Sequence, residues 1–306
     1  MELTINNITK QYGNVTVLDD VSYRFTPGIY GILGANGAGK TTLFRIICGL
    51  MRANCGNIQY DHKDIALQAE YYRSILGFLP QDFRYYPDFT GLNFMMYIAS
   101  LKGLNGKIAK KRCLDLLIQV GLDDVKNKKI RKYSGGMKQR LGIAQAMINN
   151  PEILILDEPI NGLDPLGVVE IRKLLIKLCD EKNMTILISS HNLPEMYQLA
   201  TDYIFINKGE IIETLTLEEL DEHCKHYLLL QSTNVCKLVN VIERNLNTTN
   251  FKVMPDNSVQ LFDYIDDKEL VGKTLFENEV AVTNLSNEGG TLEDYFISMV
   301  GGIDNV

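Results

Sequence analysis

The sequence predicts an α/β fold: a parallel-sheet core carrying an inserted block of helices, followed by a small C-terminal α+β domain. Three observations predict it. Short apolar runs alternate with helical segments over the first 220 residues. Residues 90–148 break that alternation and are almost entirely helical in pattern. Beyond residue 224 both the order of element types and the charge change.

Each element has a local reason. Residues 28–33 (GIYGIL) form a nearly unbroken apolar run between Pro27 and Gly34, the pattern of a strand buried on both faces. Residues 41–50 then repeat apolar positions at helical spacing. Two further buried strands are expected at 153–157 (ILILD) and 184–189 (MTILIS), with a helix at 166–179 between them. Such βαβ units make a parallel sheet. Within 90–148, Thr90 and Ser134 have the side chains and positions of helix N-caps. After a capping-box signature at Thr216-Leu-Glu-Glu219, the remaining runs read β-α-β-β-α-β-α. That order is compatible with a split βαβ, ferredoxin-like sandwich plus a last helix. Phe251, Phe262, Phe276, Tyr295 and Phe296 are the aromatic candidates for its core.

Composition bounds the function. The chain has 306 residues, 45% of them hydrophobic and 23% charged, which excludes wholesale disorder. The length fits about two domains. Residues 1–224 hold 25 basic and 26 acidic residues, whereas 225–306 hold 6 and 12. The division is therefore expected as 1–224 and 225–306, with the helical subdomain at about 88–148. A net charge of −7 makes nucleic acid a poor partner. Six scattered cysteines without a C-x-x-C pair read as reduced cytosolic thiols. No secretory h-region and no run near the ~20 apolar residues of a membrane span is present. The expectation is a soluble cytosolic protein.

The strongest local signal is Gly34-Ala35-Asn36-Gly37-Ala38-Gly39-Lys40-Thr41-Thr42, which fits G-x-x-x-x-G-K-[ST]. Glycines let the backbone wrap so that successive N–H groups point at phosphate oxygens, and the following helix adds its positive end. Lys40 supplies a point charge for the terminal phosphates, and the Thr41 hydroxyl suits Mg²⁺. A chance glycine-rich turn is the plain alternative, but ordinary residue usage yields about 0.01 such matches in a chain this long. The second signal is ILILDE, which ends a buried strand in Asp157 and Glu158. The first acid suits Mg²⁺ and the second an attacking water. The third is Tyr133-Ser134-Gly135-Gly136-Met137 opening a helix, a second anion-binding N-terminus 23 residues before Asp157.

Together these residues resemble the ATP-binding-cassette (ABC) ATPase family over essentially all of residues 1–224. Gly34–Thr42 look like Walker A, and Gln81 in FLPQD looks like the Q-loop glutamine, a further metal contact. Ser134–Met137 look like the signature motif, Ile153–Asp157 like Walker B, and Glu158 like the catalytic glutamate. Asn161-Gly162-Leu163-Asp164 resembles the D-loop and His191 in LISSHN the switch histidine. Tyr12 in KQYGN matches the aromatic that stacks on adenine. Met137 replaces the commoner glutamine, and Ile160 the usual threonine. Taken alone, Gln81 reads as a strand-end surface residue and His191 as a histidine at a helix start. The basic run from Lys102 to Arg140, 12 basic residues against Asp115, Asp123 and Asp124, reads first as a solvated helical face and second as a surface for anionic phospholipid or ligand phosphate.

The resemblance implies an ATPase using ATP and Mg²⁺. Two cassettes would pair head-to-tail, so that Ser134–Met137 of one chain meet ATP on the other and Asp164 contacts the dimer partner. It also implies a separate integral-membrane permease and a location on the inner face of the cell membrane. The C-terminal piece, ending TLEDYFISMV, resembles the tails of bacterial multidrug and lantibiotic (bacitracin-type) exporter subunits. The alternative is a soluble ABC ATPase acting on a ribosome or an assembly scaffold.

Overall fold

The computed structural model describes residues 2–290 and 292–301. Thr291, in the tail motif, lies outside them. The chain divides into two compact units between Leu217 and Glu218.

The first unit opens with an element outside the expected alternation of buried strands and helices. Strands β1 (Leu3–Tyr12) and β2 (Val15–Phe25) form an antiparallel hairpin. β3 (Gly28–Leu33) is the predicted buried strand, and every residue in it is buried. Helix α1 (Lys40–Ile47) follows. It stops three residues short of the expected end because Gly49 adopts φ +67. The N–H groups of Gly49 and Leu50 bond back to Ile46 and Arg45, which is a Schellman cap. β4 (Cys55–Tyr60) and β5 (Lys63–Asp64) then complete an antiparallel sheet of order β2-β1-β4-β5. Leu3, Ile5, Leu18 and Phe25 of that sheet share one apolar cluster with Leu43 and Phe44 of α1 and Ile32 of β3.

α2 (Ala69–Ser74) and β6 (Leu76–Leu79) lead into the inserted helices. These are α3 (Gly91–Leu101), α4 (Gly106–Gln119) and α5 (Gly135–Ala146), with two 3₁₀ turns between α4 and α5. The Thr90 and Ser134 hydroxyls accept the N–H groups of Asn93 and Met137, both at 3.2 Å, so both act as N-caps. Eight of the twelve residues of the basic run are exposed, and some of the run pairs within the unit. Arg112 donates to the carbonyls of Met147 and Ile148, Arg140 pairs with Glu170, and Lys129 and Arg131 face Asp88.

β7 (Ile153–Asp157), α6 (Pro165–Lys182), β8 (Thr185–Ser190), α7 (Leu193–Tyr197), β9 (Asp202–Asn207) and β10 (Glu210–Thr216) finish the unit. The large sheet runs β10-β9-β3-β8-β7-β6. Its four inner pairings from β9 to β6 are parallel and the edge strand β10 is antiparallel. Asn183 at φ 50 closes α6 and hands the chain directly to β8.

α8 (Leu217–Cys224) starts directly after Thr216. The second unit continues as β11 (Tyr227–Ser232), α9 (Val235–Asn245), β12 (Phe251–Val253), β13 (Val259–Leu261), α10 (Lys268–Glu277), β14 (Val282–Glu288) and α11 (Leu292–Gly301). Its sheet order is β12-β13-β11-β14 with every pair antiparallel, the ferredoxin-like arrangement. The expected aromatic core is corrected. Leu228, Leu230, Leu238, Ile242, Leu261, Val271 and Leu275 fill it, with Phe251 only packed at its edge. Phe262, Tyr295 and Phe296 are partly exposed, and Phe276 is 83% exposed. The helical phase that turns Val271 and Leu275 inward on α10 sends Phe276 outward.

Candidate active site

The parallel order of β3, β8 and β7 sets the C-terminal ends of these strands side by side, where open α/β sheets place their ligands. The first end carries the glycine loop. A Cβ on Gly34 would lie 2.3 Å from the Ile206 carbonyl oxygen, so the loop can leave β3 there only as glycine. Gly39 holds φ +109 immediately before α1, a conformation with a steric cost for any side chain. Leu43 N–H bonds to Gly39 O, leaving the earlier N–H groups of α1 without intrahelical partners, as at any helix start. Lys40 is buried, and its ammonium donates to the carbonyls of Gly34 at 2.6 Å and Ala35 at 3.1 Å. Burial pulls its pKa below the ordinary lysine value, and the nearby Glu158 and Asp157 charges oppose that shift. Thr41 and Thr42 are half-buried on the first turn of α1.

The second strand end presents the acids. Asp157 and Glu158 are both buried. Glu158 turns out of β7 with φ 55, a left-handed conformation that costs a non-glycine residue of order 1–3 kcal/mol. Two bonds hold it: its N–H donates to Ser189 Oγ at 3.1 Å and to Ser189 O at 3.2 Å. The Ser189 hydroxyl in turn donates to Asp157 Oδ1 at 2.6 Å. The other carboxylate oxygen, Oδ2, is buried without a hydrogen-bond partner among the described residues. A buried anionic oxygen without a donor fits a divalent cation. The third strand end delivers His191, half exposed, with Nδ1 2.9 Å from Glu158 Oε2.

Lys40, Asp157, Glu158 and His191 are therefore brought into one neighbourhood. The other expected residues occupy the rest of the glycine loop, β1, the bend after β6 and the starts of α5 and α6. Tyr12 is 47% exposed at the end of β1, its hydroxyl on Met51 Sδ and Lys10 Nζ 5.3 Å from its ring centroid. Ala35, Asn36 and Gly37 form the exposed crest of the loop, while Ala38 is buried. Gln81 is exposed in the bend after β6. Ser134 and Gly135 are exposed, Gly136 is buried and Met137 half-buried at the start of α5. Their neighbours are Gly162 and Leu163, which a Cβ on Gly135 or Gly136 would meet at 3.4 Å and 3.7 Å. Asp164 is exposed at the N-cap position of α6. Ser189 was not singled out from the sequence; its place opposite Asp157 in the β7–β8 ladder follows only from strand register.

A glycine loop opening a helix, a buried lysine and an acid pair at another strand end of the same sheet define a P-loop nucleotide hydrolase. Residues 18–161 match the ABC transporter family. The bacitracin transport ATP-binding protein BcrA of Bacillus licheniformis is 34% identical over 97% of this chain and 96% of its own length. The lantibiotic transport ATP-binding protein SrtF of Streptococcus pyogenes is 37% identical over 69% of this chain and 89% of its own. Among solved structures, the dimeric cassette MJ0796, a bacterial ABC transporter cassette, superposes with a TM-score of 0.64 at 28% identity, over 70% of this chain and 98% of that one. The chain belongs to the ATP-binding subunits of ABC transporters and is an ATPase. Subunits of this family act with a membrane permease and a second cassette. The relatives matched over nearly the whole chain are transport proteins, which disfavours the ribosome or scaffold alternative. Among the described residues, no helix is long and apolar enough to cross a membrane.

Proposed function

We propose that this chain is the ATP-hydrolysing subunit of an exporter and drives a separate integral-membrane permease from the cytoplasmic face of the membrane. The observation that carries the reading is the joint placement of Lys40, Asp157, Glu158 and His191 at three adjacent strand ends. The loop 34–42 wraps the phosphates with backbone N–H groups, and Lys40 exchanges its loop carbonyls for phosphate oxygens. Tyr12 offers its ring to adenine. Glu158 accepts the proton of the attacking water, and His191 stands at the γ-phosphate. Thr41, Gln81 and Asp157 would hold Mg²⁺, which would supply neutralisation of charge on the terminal phosphates.

Ser134–Met137 lie beside Gly162–Leu163, and Ser134 and Gly135 are exposed. That placement supports their service to ATP on a second cassette, with Asp164 at the dimer contact. The γ-phosphate then joins two anion-binding surfaces, and hydrolysis releases them. The relatives' roles in bacitracin and lantibiotic transport support export of antibiotics of that class. The test is co-expression with a permease in a sensitive bacterium. Resistance should rise, and Glu158→Gln should abolish the rise. Resistance that persists with Glu158→Gln would overturn the reading.

A further inference from the structure

Two neighbouring serines end β8, and both are buried. They face different tasks. Ser190 Oγ accepts the N–H of Asn192 at 3.0 Å and shapes the turn into α7. Ser189 Oγ faces β7, where the parallel register sets Ser189 opposite Asp157. A hydroxyl has one proton and two lone pairs. Glu158 N–H already donates to Oγ at 3.1 Å, so the single hydroxyl proton is committed to Asp157 Oδ1. At 2.6 Å this is a short, charge-assisted bond. It occupies one carboxylate oxygen and leaves Oδ2 as the one without a partner.

We propose that Ser189 is a positioning residue for ATP hydrolysis, its hydroxyl bridging Asp157 and the backbone of Glu158 so that Oδ2 faces the metal and Glu158 stays turned toward the water. The proposal rests on the roles given above to Asp157 and Glu158. One side chain thus sets two groups that must act together. It holds the metal-facing acid by its carboxylate and the water-facing acid by its strained backbone. Outer partners of this kind alter metal affinity or activity by roughly 10–100-fold when removed.

The test uses the full-length chain with Ser189→Ala, Ser189→Thr and Ser190→Ala. The readouts are steady-state ATP hydrolysis, Mn²⁺ affinity of the ATP complex by electron paramagnetic resonance, and thermal unfolding. Ser189→Ala should lower kcat roughly 10–100-fold and weaken Mn²⁺ by a similar factor, with KM for ATP within about twofold. Ser189→Thr, which keeps the hydroxyl, should recover most of both, and Ser190→Ala should leave Mn²⁺ affinity unchanged. Wild-type kcat and Mn²⁺ affinity in Ser189→Ala would overturn the proposal. So would equal losses in the alanine and threonine variants accompanied by weaker ATP binding and lower thermal stability, the outcome of a merely structural serine. Glu158→Gln, measured alongside, separates the two claims. If it hydrolyses ATP normally, the role of Glu158 fails, while Mn²⁺ affinity in Ser189→Ala still decides the hold on Asp157.

Discussion

His191 Nδ1 and Glu158 Oε2 lie 2.9 Å apart, joining the ends of β8 and β7. The contact ties the imidazole to the carboxylate across the two strand ends. The two side chains are thus set to work as a unit.

Removing the carboxylate charge should therefore be severe. Glu158→Gln is expected to slow turnover by roughly 10²–10⁴-fold, the usual share of a general base. Nucleotide binding should persist through Lys40 and Thr41, so that this variant accumulates as an ATP-bound dimer on size-exclusion chromatography. His191→Ala should also slow turnover, and the double variant should be no slower than Glu158→Gln alone, because groups acting together are not additive. Near-normal hydrolysis by Glu158→Gln would remove Glu158 from the mechanism.

The exposed position of Ser134 at the start of α5 leads to a mixing experiment. Ser134→Arg and Lys40→Ala chains should each be inactive alone, since each homodimer has two defective sites. A mixed dimer has one site lacking both groups and one intact site, so activity should return on mixing. Wild-type activity in the Ser134→Arg homodimer would count against service in trans.

The parts of the site that were legible in the sequence are those set by local chemistry. The loop 34–42, the acids at the end of ILILD and the caps Thr90 and Ser134 each depend on residues close in the chain. Ser189 was hidden because its partner is 32 positions away and only parallel register brings the two together. The β1–β2–β4–β5 sheet was hidden for a related reason. β1 departs from strict alternation, with Asn7 at φ 50 and register shifts between Ile5 and Ile8, which blurs the period-2 signal. In the second unit the order of elements was readable from the apolar runs. Which side of α10 faces inward was not, and aromatic size misled there.

That correction can be measured. Leu275 is fully buried whereas Phe276 is 83% exposed. Leu275→Ala should destabilise the second unit by about 2–5 kcal/mol, the cost of a large-to-small core change. Phe276→Ser should stay within about 0.5 kcal/mol of wild type. Denaturant unfolding of both variants checks the contrast, and equal losses would place Phe276 in the core after all.

The division between Leu217 and Glu218 carries the last expectation. Every residue assigned to nucleotide, from Tyr12 to His191, belongs to the first unit. Among the described residues of 218–290 and 292–301 there is no glycine loop followed by lysine, and 225–306 carry twice as many acids as bases. An acidic surface repels phosphate rather than holding it. A chain ending at His223 should therefore bind ATP with an affinity within about twofold of the full chain, the scatter expected where regions act independently. The shortened chain should differ instead in how readily two cassettes pair. Nucleotide titration and sedimentation velocity on the two proteins side by side read both quantities. A shortened chain that keeps its circular dichroism and thermal unfolding but no longer binds ATP would mean that the second unit helps build the site.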